Sequence, residues 1–229
     1  MQKFLNDLIP NVMAKLPDFY AAIGDTLLMV IWSGAISFVL GLILGVLLTV
    51  TRPGGILEHK VLYQIVDKLV SLFRSIPFII LMVAIMPFTK ALVGTKIGVP
   101  GAIVPLVVSA APFIARMVET SLAEVDAGVV EAAQSMGASN LQIVWKVYLP
   151  EAVPSLILGA SISIITLLGY TAIAGAVGAG GLGDLAVRYG YQRRVTSMMV
   201  VTVIFIIILV QVIQSVFSWL STKLDKRLR

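Results

Sequence analysis

The chain has 229 residues, 59% of them hydrophobic, a net charge of +5 and a mean hydropathy of +1.00. Apolar runs longer than the ~20 residues that cross a bilayer recur along it, which excludes an ordinary soluble domain and a single signal peptide. The absence of cysteine excludes a disulfide scaffold and thiol chemistry, and the basic residues are spread over loops and span ends rather than gathered on one nucleic-acid-binding face. The expected fold is therefore an all-α integral membrane protein.

Residues 1–26 place Phe4, Leu5, Leu8, Ile9, Val12, Leu16, Phe19 and Tyr20 among charges and two prolines, Pro10 and Pro17. This pattern predicts short interfacial helices and no cleavable signal. The transmembrane region is expected over residues 27–220. Its first span, Leu27 to Val50, is uncharged, and Ser33, Ser37, Gly41 and Gly45 recur every four residues as a close-packing stripe. Arg52-Pro53-Gly54-Gly55 then forces a turn.

A second span is predicted from Leu62 to Phe88, with Asp67 and Lys68 near its start, Arg74 within it and kinks at Pro77 and Pro87. Arg74 either snorkels to the interface or faces a pathway. The third span, Gly98 to Val118, is expected to be broken by Pro100, Pro105 and Pro112, so neighbouring helices must satisfy the freed carbonyls. Arg116 and Glu119 mark its cytoplasmic end.

The longest polar interruption, residues 120–152, is the most patterned stretch. Leu122, Val125, Val129, Ala132 and Met136 predict one amphipathic helix over Ser121 to Met136. Gly137 permits a sharp turn, Ser139 and Gln142 have capping-box spacing, and a short helix bearing Leu141, Val144 and Val147 is expected to stop at Pro150. Helix, turn and helix between two spans make a knob suited to a partner's groove.

The fourth span begins near Val153. It should end near Ala174, because Gly175 to Gly183 is too rich in glycine for a helix and reads as a tight or re-entrant turn. Gly178, Gly180 and Gly183 match G-x-G-x-x-G, but a membrane span precedes them instead of a strand, so no dinucleotide site is expected. A fifth span, Val195 to Leu220, leads to a basic tail, residues 221–229, with Lys223, Lys226, Arg227 and Arg229. That cluster argues for a cytoplasmic C-terminus and hence a cytoplasmic loop at 120–152.

Neither ATP nor a metal has a recognisable site. No G-x-x-x-x-G-K-[ST] occurs, and the lone His59 stands in a polar loop with nothing to form a metal cluster or a triad around it. Few ionisable residues lie deep in the spans, which argues against proton or sodium coupling and for an energy source on another chain. No cofactor is expected. With no internal repeat visible, a second copy of the chain about a two-fold axis would supply the other half of a transporter.

Glu131-Ala132-Ala133, Gly137 and Leu149-Pro150 resemble the EAA motif of ATP-binding-cassette importer permeases, with Val147 where that family usually has Ile. FRSIPFIIL from Phe73, APFIARMVE from Ala111 and GYTAIAGAVGAGGLGDLAVRYGYQR from Gly169 are similar to the methionine-uptake permeases, from about Thr26 to the C-terminus. The resemblance implies a five-span subunit of the bacterial inner membrane, working as a homodimer with two cytoplasmic ATPase subunits and a methionine-binding lipoprotein. It implies that Glu131, Ala132, Ala133, Gly137, Leu149 and Pro150 couple the spans to the ATPase. Small and apolar residues of the fourth span, Ile165, Gly169 and Ile173, are expected to line a hydrophobic gate. Two alternatives remain open on sequence: the same architecture importing another small solute, and a channel or assembly subunit without an ATPase.

Overall fold

The computed structural model describes residues 13–224. The expected interfacial residues Phe4, Leu5, Leu8, Ile9 and Val12, and the tail residues Lys226, Arg227 and Arg229, lie outside them. Helix α1 (Leu16–Thr51) starts well before the expected Leu27. Pro17 falls in its first turn, where a missing amide donor costs nothing, and Asp18 sets a negative charge against the free N-terminal amides. The later part of the expected interfacial segment is thus continuous with the first span.

The second span is divided into α2 (Lys60–Ser75), α3 (Phe78–Ala84) and α4 (Met86–Val93). The first break falls before Pro77, whose ring pushes Ile76 to an extended ψ of 122°. His59, expected to be merely solvated, accepts the Leu62 amide at 3.1 Å and caps α2. Helix α5 (Gly98–Ala123) runs on through its prolines instead of breaking at them. Its most apolar window is 61% buried, against 28% or less in the other long apolar helices, so its surroundings are packed protein, as its prolines require.

After α5 come α6 (Ala127–Ser135), α7 (Asn140–Ile143), a π-helical turn Val144–Tyr148, and α8 (Leu149–Glu151). Helix α9 (Val153–Ala174) ends at the expected residue. A π-helical turn, Gly175–Ala179, leads to α10 (Gly181–Leu185), a further π-helical segment Ala186–Gln192, and α11 (Thr196–Leu224). Among the described residues four unbroken helices are long and apolar enough to cross a bilayer, those of α1, α5, α9 and α11, and the remaining apolar stretch is the broken α2–α4.

The chain divides into two compact units that share these long helices. One comprises, among the described residues, 13–35, 77–107 and 164–213. Its core holds Phe19, Ala22, Leu182, Leu185, Tyr189 and Met198. Here the glycine run folds back on α9: a Cβ on Gly175 would lie 2.5 Å from the Asp184 amide, and one on Gly183 would overlap the Ala172 backbone. The returning Leu182 amide donates to Thr26 Oγ1 at 2.8 Å, and Phe78 stacks on Tyr170 with ring centroids 4.7 Å apart. The run is a close-packed turn, as its composition predicts.

The other unit comprises, among the described residues, 36–76, 108–163 and 214–224. Within it α1 packs on α5 through two glycines of the small-residue stripe. A Cβ on Gly41 would stand 2.6 Å from Ile114, and one on Gly45 would stand 2.5 Å from Val118. Side chains there would hold the helices apart. Leu48, Val66, Val70 and Ala115 join α2 to the same pair.

Candidate functional site

The polar segment between α5 and α9 lies wholly within the second unit. Its fold departs from the expected single amphipathic helix. The Asp126 carboxylate accepts the Gly128 amide at 2.7 Å, which ends α5 at Ala123 and starts α6 anew as an N-cap. The break resets the helical phase. Leu122 and Val125 are buried as expected, but Val130 and Ala133 take over the inward face, leaving Val129 half-exposed and Met136 81% exposed.

Gly137 closes α6 in a complete Schellman motif. With φ at +79°, its amide donates to Gln134 C=O at 2.9 Å and the Ala138 amide reaches Ala133 C=O at 3.0 Å. Two residues later Ser139 and Gln142 form the expected capping box, with hydrogen bonds of 2.9 and 3.3 Å. A C-cap and an N-cap back to back satisfy the orphan backbone groups at the turn with local partners. The turn is therefore self-contained and stands exposed.

Beneath it Ile114, Val118, Leu122, Val130, Ala133, Ile143, Val144 and Tyr148 make one buried cluster. Contrary to expectation, Pro150 does not end the second helix. The chain widens into the π-helical turn, where the Leu149 amide donates to Val144 C=O, and continues helically through Pro150 to Glu151. Widening accommodates a residue that has no amide to give.

The motif residues thus divide by what they touch. Ala133 is buried, and Leu149 packs half-buried on the cluster. Glu131, Ala132, Gly137 and Pro150 are exposed, and Glu131 has no hydrogen bond or ion pair among the described residues. Leu141 and Trp145 are 68% and 63% exposed and line an apolar groove with Leu42, Ile43, Val46 and Leu57. The self-capped turn on its buried cluster holds these exposed motif residues in a fixed place at the surface.

Ile165, Gly169 and Ile173 share one face of α9 by their fourfold spacing. Gly169 and Ile173 are exposed, Ile165 is half-buried, and a Cβ on Gly169 would meet nothing within 4 Å.

A charged group escaped the sequence reading. Arg116 donates to Asp67 at 2.6 Å, to Glu119 at 2.5 Å and to Ser71 at 3.3 Å. It ties α2 to the end of α5, immediately ahead of the knob. Only the Arg116–Glu119 half of it had a local signal, the i, i+3 spacing. Arg74 is exposed and takes no part.

Residues 37–229 match the family described as binding-protein-dependent transport system inner membrane component. The chain is 51% identical over 203 residues to the probable D-methionine transport system permease protein MetI of Vibrio cholerae, covering 89% of this chain and 90% of that one. It is 46% identical over 181 residues to the methionine import system permease protein MetP of Bacillus subtilis, covering 79% and 82%. Its fold matches a chain of the MetNI methionine ABC transporter, solved in an inward-facing conformation, with a TM-score of 0.92 and 48% identity over 93% of this chain and 99% of that one. The exposed knob between α5 and α9 is accordingly carried by a chain that belongs to the binding-protein-dependent transport system inner membrane components.

Proposed function

We propose that this chain is the membrane-spanning permease subunit of an ATP-binding-cassette importer that carries methionine into the cell. The observation that carries the reading is the knob: a Schellman turn and a capping box back to back on a buried cluster, presenting Glu131, Met136, Leu141 and Trp145 outward. Methionine as substrate is supported by the relatives named above. The chain contributes no ATPase site. Two cytoplasmic ATPase subunits grip the knobs of two copies of the chain, the knob and the C-terminus face the cytoplasm, and a methionine-binding lipoprotein delivers ligand from outside.

ATP binding closes the ATPase pair, and the knob carries that motion into α5 and α9, between which it is strung. Ala133 and Leu149 seat the knob, Gly137 shapes its turn, and Glu131, Ala132 and Pro150 meet the partner. Ile165, Gly169 and Ile173 line the gate on α9, where a small residue between two bulky ones allows the pathway to narrow and reopen.

The test is uptake into vesicles holding permease, ATPase and binding protein. ATP-dependent accumulation of labelled methionine, competed by unlabelled methionine and not by a tenfold excess of an unrelated amino acid, is the expected result. Equal competition by the unrelated amino acid contradicts the substrate, and accumulation without ATP contradicts the transporter class.

A further inference from the structure

We propose that the apolar groove between α1 and the second limb of the knob seats one acyl chain of a membrane phospholipid. The groove measures about 550 Å³, within the ~300–1,000 Å³ of ligand pockets in general, and lies wholly in the second unit. Ile43, Val46 and Val50 of α1 form one wall, and Leu141, Trp145 and Leu149 form the other. Of its lining residues only Asn140 is polar, and none carries a charge.

Three observations select the occupant. First, the α1 wall belongs to the uncharged run 27–50, which crosses the bilayer. Gly41 and Gly45 face Ile114 and Val118 of α5, and at about 100° per residue Ile43, Val46 and Val50 fall on the far side of the helix. Ile36 and Val39, on that far side two turns and one turn before Ile43, are 41% and 58% exposed. Surface that lipid covers therefore runs into the groove without a polar break. Second, Leu57 folds back where the uncharged run ends, its amide donating to Val50 C=O at 2.9 Å, and lines the groove beside Val50. Third, the opposite wall presents Trp145, and indole favours the boundary between hydrocarbon and head groups.

Other occupants fit the groove less well. A charged or zwitterionic solute finds no counter-ion in the lining, and burying one unpaired is costly. Ile43 stands about 10 Å along α1 from Val50, inside the span, where a water-soluble protein does not reach. An acyl chain needs no polar partner and enters from the bilayer. Seated there, it bridges α1 and the knob, so that lipid as well as the buried cluster holds the knob in place. Glu131 and Met136 are not in the lining and stay free for another protein.

Tryptophan occurs at positions 32, 145 and 219, which gives the groove its own reporter. Full-length permease carrying Trp32→Phe and Trp219→Phe, with Trp145 kept, is titrated in detergent with phosphatidylcholine brominated on its acyl chains, which quenches indole fluorescence on contact. Quenching should saturate at about one lipid per chain, as a single enclosed site requires. Unbrominated phosphatidylcholine and phosphatidylglycerol should relieve it equally, within about twofold, because no charge in the lining distinguishes their head groups. Trp219, 62% exposed and kept as the sole tryptophan in a second variant, reports ordinary surface lipid and should be quenched only in proportion to the lipid added. Leu141→Asp, at an exposed position that leaves the buried cluster untouched, should weaken the saturable phase about tenfold by setting a charge in the groove.

Equal and unsaturating quenching of Trp145 and Trp219 reveals an ordinary lipid surface and overturns the proposal. So does a tenfold or larger preference for one head group, about the worth of a charge contact, since recognition would then lie outside the groove. Quenching of Trp145 that appears only when Leu141→Asp turns a dimer into monomers assigns the groove to a second copy of the chain. Bound phospholipid, counted by native mass spectrometry, that leaves when an ATPase joins assigns the groove to that partner. Either assignment overturns the acyl chain as occupant, and each of these results leaves the importer reading intact.

Discussion

At Gly137 the restriction on side chains is torsional, not spatial. Its φ of +79° is left-handed, yet a Cβ built there meets nothing within 4 Å. Alanine therefore costs about 1–2 kcal/mol in conformation alone, asparagine less, and a β-branched residue more. Retention of the ATPase and uptake should fall in the order Gly137, Gly137→Asn, Gly137→Ala, Gly137→Val, with membrane insertion unchanged. A flat series, measured by co-purification and transport, contradicts a shaping role for the turn. The conformational half of this was legible, because a glycine after an apolar helix and before Ser-x-x-Gln signals a C-cap followed by an N-cap. The spatial half was not: nothing in the sequence separates Gly137, where a Cβ has open space, from Gly41 and Gly45, where Ile114 and Val118 stand in the way.

Among elements, α6 shows how one side chain redirects a pattern. Periodicity assigned Val129, Ala132 and Met136 to a buried stripe, but the carboxylate of Asp126 competes for the local amides and restarts the helix, so Val130 and Ala133 face the core instead. The acid ahead of Gly128 was visible; whether it caps or stays solvated depends on the packing of Val125 and Val130, which spacing does not convey. The π-helical turn ahead of Pro150 was illegible for a similar reason, since widening a helix depends on what its carbonyls find afterwards. The link between α2 and α5 joins residues 49 apart in sequence, and nothing local announces it. It carries a prediction of its own. Arg116→Leu leaves two carboxylates facing each other, whereas Asp67→Asn leaves the Arg116–Glu119 pair, so the first should lower the thermal midpoint of detergent-solubilised permease more. Breaking a fully buried pair costs about 3–5 kcal/mol; Arg116, Asp67 and Glu119 side chains are 22%, 34% and 12% exposed, which reduces the loss to roughly 1–3 kcal/mol. Equal midpoints for the two variants would show that the pairing does not hold α2 in place.

For the whole molecule, apolar run length made the class of fold legible and composition located the glycine turn, because both depend on the bilayer and on backbone freedom rather than on distant contacts. Span boundaries were less so: Pro17 reads as an interruption until it is placed in the first turn of α1, and Pro77 reads as a kink where the chain is divided. Much of α9 and nearly all of α11 expose apolar side chains, with only 28% and 6% of their most apolar windows buried, which is consistent with a surface made for lipid and for further subunits. All of the proposed activity turns on a partner gripping the knob. The most direct measurement is gentle extraction of the tagged permease from its native membrane, parent beside Gly137→Val, with the co-purifying proteins identified. A P-loop ATPase retained by the parent and depleted from the variant is the result expected. A parent that carries no ATPase while remaining intact would contradict the coupling role and move the ATP-independent channel reading ahead of it.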